Sequence, residues 1–230
     1  MPRQPTAPVN DATNAQSSRH RRSGLVSNDT KLRRQIQERL EGLSFGAFAN
    51  CVADVLRDLG YRDVVVARCY STGHNHNGGT DIGATLPVPG RVLARRPVVV
   101  HLKHYPSHRL VARRAVDELR GVALRTSSVE AILVTTSRFA PTIRADLVRM
   151  APIAPCRLID GETLVDLLLG LTIGVKADQA GRYRIDDAYF TGLDSGNTRK
   201  GTRAVKVPAS MPRKVMIRLA IDVAEDHPAA

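Results

Sequence analysis

Three residues whose types and spacing suit one chemistry stand within "NGGTDIGATLPVPGRVLARRPVVVHLKHY", residues 77–105: Asp81, His101 and Lys103. Asp81 follows a double glycine, while His101 and Lys103 end an otherwise apolar run. Polar side chains at the end of a buried strand are costly unless they are partnered or put to use. A period of two along "RPVVVHLK" sends Val98, Val100 and Leu102 to one face and Val99, His101 and Lys103 to the other. If the strand after Asp81 pairs with this one as its hairpin neighbour, the three meet on one face at one end of a sheet. A carboxylate, an imidazole and an ammonium so placed suit metal-assisted hydrolysis of a phosphodiester. Asp81 would hold a hard divalent cation through oxygen. The cation would polarise the phosphate and acidify a bound water. Lys103 would position that water or offset the charge developing on the phosphate. Each residue also has a purely structural reading: Asp81 as a turn residue, Lys103 as an edge-strand lysine, His101 as a core histidine.

The elements that must position these residues are readable around them. "SNDTKLRRQIQERLEGL" carries capping residues and then helix formers. "SFGAFANCVADVLRDLGY" repeats Phe45, Phe48, Val52, Val55, Leu56 and Leu59 at helical spacing, and Gly60 closes it as a C-cap. Three strands are expected next: "DVVVARCY" at 63–70, "TDIGATL" after the Asn77-Gly78 turn, and "RPVVVHLK". A basic amphipathic helix is expected over "RLVARRAVDELRGVALRT", burying Val111, Val116, Leu119 and Val122 and leaving Arg113, Arg114 and Arg120 outside. Then follow a strand "VEAILVTTS", a helix "APTIRADLVRMA", a short strand "CRLID" and a closing helix "GETLVDLLLG". Alternation of strands and helices predicts an α/β fold with partly parallel strands. Residues 171–190 read as a strand-rich appendage.

Lys and Arg outnumber Asp and Glu by 34 to 22 over 230 residues, a formal charge of +12, with a sequence pI near 10.3. That excess points to a polyanionic partner, since each neutralised phosphate releases counterions. The exposed face of Arg113, Arg114 and Arg120 is the candidate phosphate-contacting surface, with Lys103 at its edge; an ordinary solvated face is the alternative. Residues 1–30 are poor in anything to bury and read as a disordered basic arm around Arg19, Arg21 and Arg22. Residues 195–218 carry seven Lys or Arg and no acid, so 191–230 reads as a basic tail or small appendage. Cys51, Cys69 and Cys156 are odd in number and widely spaced, which argues against a disulfide framework or structural zinc. His74, His76 and His104 match no common zinc spacing. No apolar run is long enough to cross a bilayer, no secretory signal opens the chain, and cytoplasmic residence without a membrane partner is expected.

Taken in order, these segments resemble the Mrr-like restriction endonucleases, a branch of the PD-(D/E)xK nuclease superfamily. "FANCVADVLRDLGY" resembles that family's first helix, "NGGTDI" its Gly-Gly-x-Asp turn, and "VVVHLKHY" the strand usually written V-Q-x-K-x-Y. "AILVTTSRFAPTIRADL", "CRLIDGETLVDLL" and "YRIDDAYF" resemble its later strands, helices and tail. The resemblance covers about residues 43–190 and implies a restriction-endonuclease-like core, a mixed central sheet flanked by helices, over 31–190. It implies magnesium-dependent cleavage of DNA, often DNA with modified bases, in defence against foreign DNA. By motif position, Asp81 matches the metal-binding aspartate and Lys103 the catalytic lysine.

Two positions depart from the pattern. His101 stands where Gln or Glu is usual, and an imidazole suits manganese or zinc better than magnesium. Ala49 stands where the first helix commonly carries a glutamate, and Phe45, Gly46, Val52 and Ala53 offer no replacement one turn away. The leading expectation is a metal-dependent DNA endonuclease. Its rivals are a nuclease-fold protein that binds DNA without cutting it and a nuclease subunit directed by a partner. Double-strand cleavage would make a homodimer natural.

Overall fold

The computed structural model describes residues 29–67, 80–88, 91–143, 156–179 and 182–194. Residues 1–28 of the expected arm, Cys69, His74, His76, the Asn77-Gly78 turn and residues 195–230 of the expected tail lie outside them, while residues 29–30 and 191–194, expected in the arm and the tail, are helical.

Helix α1 (29–41) leads into α2 (Phe45–Asp58). Ser44 caps α2, its hydroxyl accepting the Ala47 N–H at 3.1 Å. Gly60 follows the helix end with φ +97°, the left-handed geometry expected of it. Strands β1 (Arg62–Val66), β2 (Ile82–Val88) and β3 (Arg91–Lys103) then pair antiparallel with one another in order, β1 with β2 and β2 with β3. β3 is longer than the sequence pattern suggested, because Leu86, Pro87 and Val88 pair with Arg96, Arg95 and Arg91. That stretch has no apolar alternation and owes its strand form to the partner.

Strand β4 (Leu110–Val111) comes next, where a continuous helix was expected. Helix α3 (Arg113–Arg125) starts only after it, since Leu110 and Val111 pair with β6 (Arg138–Phe139). Strand β5 (Glu130–Thr135) precedes β6, and β7 (Cys156–Ile159) and α4 (Gly161–Leu171) follow. Of the helix expected between β6 and β7, residues 141–143 are described and helical. The main sheet has the order β1-β2-β3-β5-β7, antiparallel from β1 to β3 and parallel from β3 to β7. It is the mixed sheet flanked by helices that the sequence predicts.

Each face of the sheet has its own core. Val98, Val100 and Leu102 join Ile36, Leu40, Phe48, Val52 and Leu56 on the first face, with Leu164 and Leu168 of α4. Val99 joins Val116, Leu119, Val122 and Leu133 on the second, beneath α3. The period of two in β3 thus separates two cores, and His101 and Lys103 belong to the α3 face.

The expected appendage is partly core. Strands β8 (Val175–Ala177) and β9 (Tyr183–Ile185) form a hairpin, but α5 (Asp187–Asp194) returns to the first face and buries Phe190 and Leu193 there. A buried polar link holds it: Tyr189 Oη donates to Asp54 Oδ2 at 3.2 Å, while Asp54 pairs with Arg57 at 2.9 Å. Cys51 is buried beside this link, and burial pushes its thiol up to about 12. Cys156 is also a free thiol, raised to about 12 by the same cause.

Candidate active site

The β2–β3 register decides where Asp81 stands. Ile82 pairs with Val100 at the end of that register, and Asp81 stands one residue before it. Two backbone bonds fix Asp81 at this point: its N–H donates to Val100 O at 3.1 Å, and its carbonyl accepts from Ala67 N at 2.8 Å. Its side chain is fixed as well, with Oδ2 accepting the Leu102 N–H at 2.7 Å. A backbone donor so placed helps to hold the carboxylate in one orientation. Asp81 is 8% exposed and His101 6%, both beneath the edge of the α3 face.

His101 carries a buried Nε2 with no hydrogen-bond partner. Burial lowers its pKa, and Lys103 lowers it further, against the opposing pull of Asp81 and Glu118. The ring is therefore neutral near pH 7, the form able to donate a nitrogen lone pair to a metal. Lys103 ends β3 opposite Thr135 of β5, whose hydroxyl donates to the Lys103 carbonyl at 2.7 Å. Its ammonium lies 3.9 Å from Glu118 Oε2 on α3. His101 and Lys103 thus share one face at one end of the sheet, and the Asp81 carboxylate, held by Leu102 N–H, lies near enough to act on the His101 ring.

Glu118 is the residue that sequence reasoning missed. On α2, Ala49 is 1% exposed among apolar neighbours and Asp54 is engaged by Arg57 and Tyr189, so that helix brings no acid to this strand end. The signal for Glu118 was topological. α3 connects the parallel strands β3 and β5, and such a crossover helix lies over one face of the sheet.

His104, beside these residues in sequence, does not join them. Its Nε2 contacts Leu40 O at 2.9 Å, and its ring stacks on Phe48 with centroids 5.1 Å apart. The arginines of α3 also divide. The Arg113 and Arg114 side chains are 56% and 89% exposed, paired to Asp117 and Glu118 on the next turn. Arg120, expected outside, is 7% exposed. It lies four residues beyond Val116 on the same buried stripe, so it is not part of the surface offered to a partner. A separate cleft of about 450 Å³ opens by α1, the end of β5 and the start of α4, lined in part by Arg33, Arg34 and Arg138. None of the three site residues lines it.

Among the described residues, no three His, Cys, Asp or Glu side chains gather closely enough to hold a metal alone. Asp81 and His101 are the two adjacent donors, one oxygen and one nitrogen.

The family model described as a restriction endonuclease, the Mrr catalytic domain, matches residues 40–168, more than half of the chain. The chain belongs to this restriction-endonuclease family. No curated protein matches it. Among solved structures, the DNA modification-dependent restriction endonuclease AspBHI is similar at a TM-score of 0.53 and 20% identity, over 74% of this chain and 40% of that one. The MspJI restriction endonuclease in complex with a 27-mer oligonucleotide is similar at 0.49 and 20% identity, over 83% of this chain and 39% of that one. The chain therefore spans about 40% of the length of the solved relatives it matches. The mixed sheet with its flanking helices is the frame shared with AspBHI.

Proposed function

We propose that this chain is a metal-dependent DNA endonuclease, with Asp81 and His101 on the metal and Lys103 at the attacking water. The observation that carries the reading is the Asp81 carboxylate held by Leu102 N–H at the end of β3, acting on the buried His101 ring, with Lys103 on the same face of the strand as His101. Magnesium is the metal the family implies, and the residues fit such an ion in kind. Magnesium keeps several waters and is held by one or two protein ligands together with substrate phosphates. Asp81 and the unpartnered nitrogen of His101 supply two ligands of the required number. The nitrogen makes manganese an equal or better occupant. When bound, the ion polarises the scissile phosphate and acidifies its water.

The chain's own groups do the remaining work. Leu102 N–H keeps Asp81 from swinging away, and burial keeps His101 neutral. The Lys103 side chain, 26% exposed, presents its ammonium where a phosphate arrives and offsets the charge that develops there. Arg113 and Arg114, on the helix above, reach the flanking phosphates.

The rival reading is a DNA-binding protein that does not cut, and the apolar surroundings of Ala49 favour it. Cleavage of supercoiled plasmid, with magnesium and then manganese, separates the two. Wild type should nick or linearise the plasmid, while Asp81→Ala and Lys103→Ala should each lose about 100-fold or more in rate. DNA binding without cleavage by the wild type would install the rival. Methylated and unmethylated plasmids belong in the same experiment, because the relative AspBHI is modification-dependent by name. Gel filtration with and without DNA tests the homodimer, and cleavage by the purified chain alone tests the need for a partner subunit.

A further inference from the structure

A carboxylate from α3 stands over the same strand end. Glu118 Oε2 lies 3.9 Å from Lys103 Nζ, and Glu118 Oε1 accepts from Arg114 Nε at 2.8 Å. The second contact fixes how the first oxygen is presented. Glu118 also acts electrostatically on His101, whose buried Nε2 has no hydrogen-bond partner. Glu118 is the only acid that pairs with Lys103 among the described residues. A lysine at a strand end otherwise turns its flexible stem toward water and spreads its ammonium over many positions.

We propose that Glu118 is a positioning residue for phosphodiester hydrolysis: the chain Arg114–Glu118–Lys103 holds the Lys103 ammonium at the Asp81 end of the sheet. The inference rests on the nuclease reading above. α3 is well placed for the task. Val116 and Leu119 anchor it on the sheet through Val99 and Leu133, leaving Glu118 at its outer edge.

The test is single-turnover plasmid cleavage by the full chain, with melting temperature, DNA affinity and the manganese concentration for half-maximal rate measured on each variant. Glu118→Gln should lower the rate by about 10- to 100-fold, the range seen when a partner orienting a working side chain is removed. Its melting temperature should stay within about 2 °C of wild type, because exposed ion pairs contribute little. DNA affinity and the manganese requirement should not change. Glu118→Asp, which keeps the carboxylate, should recover part of the rate, and Asp117→Asn on the same helix should keep all of it.

Wild-type rate in Glu118→Gln alongside an inactive Lys103→Ala would overturn the inference and leave the nuclease reading standing. A raised manganese requirement would make Glu118 a ligand and overturn the positioning role. A fall in rate matched by lost thermal stability, without rescue by Asp, would reduce Glu118 to a structural residue. A wild type that never cuts removes both the reading and the inference built on it.

Discussion

On the proposed reading, His101 would offer a cation an imidazole nitrogen where the family motif usually offers an amide or carboxylate oxygen. His101 is buried, its Nε2 has no hydrogen-bond partner, and burial and Lys103 both disfavour its protonated form. Nitrogen ligands suit manganese better than magnesium, which prefers an all-oxygen shell. Wild type should therefore cleave about 10-fold faster with manganese than with magnesium at saturating metal, and His101→Gln should narrow that ratio toward one. Identical ratios in the two proteins would remove His101 from the metal. The shared face of His101 and Lys103 was legible because period-two alternation depends on local sequence alone, whereas the approach of Asp81 depends on how β2 pairs with β3. Glu118 was not legible by that route. Its approach to Lys103 depends on how far Val116 and Leu119 let α3 settle on the sheet, and no local pattern encodes that distance.

At the scale of elements, the first turn of α4 is the tightest joint near the site. Gly161 N donates to Ser137 O at 2.8 Å, and a Cβ at Gly161 would lie 2.3 Å from the Thr136 carbonyl oxygen and 2.9 Å from Gln37 Oε1. Backbone cannot yield as a flexible side chain can. Gly161→Ala should therefore push α4 away from the end of β5 and cost about 1–3 kcal/mol, several degrees in melting temperature. Gly46 in α2 meets nothing within 4 Å of the same added atom. Gly46→Ala should instead stabilise by about 0.5 kcal/mol, since alanine loses less backbone freedom on entering a helix. Thermal melts of the two variants check the pair, and a neutral Gly161→Ala would show that α4 is not held so closely. The long elements were readable from the sequence: β5 and α4 carry their apolar patterns within themselves. The short ones were not. Val111 is a strand residue because Phe139 pairs with it, and α5 joins the first core because Phe190 and Leu193 find partners from distant segments.

At the scale of the molecule, the proposed reading and a formal charge of +12 predict that association with DNA depends on salt, and exposure sorts which arginines would carry that dependence. Arg113 and Arg114 are exposed on α3, beside the end of the sheet where Lys103 emerges. The Arg113–Asp117 pair is a surface pair, which exchanges for phosphate at little cost, while Arg114 holds Glu118 through Nε and would meet phosphate with its terminal nitrogens. Each should contribute about one unit to the slope of log binding constant against log salt, so Arg113→Ala with Arg114→Ala should reduce the slope by about two. Arg120 has the same charge and the same helix but is buried, with its Nε and one terminal nitrogen unpartnered. Arg120→Ala should therefore leave the slope unchanged and act on the melting temperature, because its stem packs on the second core. Fluorescence anisotropy of labelled duplex DNA over a salt series measures all three variants. A slope reduced as much by Arg120→Ala as by either outer arginine would mean that α3 turns or lifts when DNA binds.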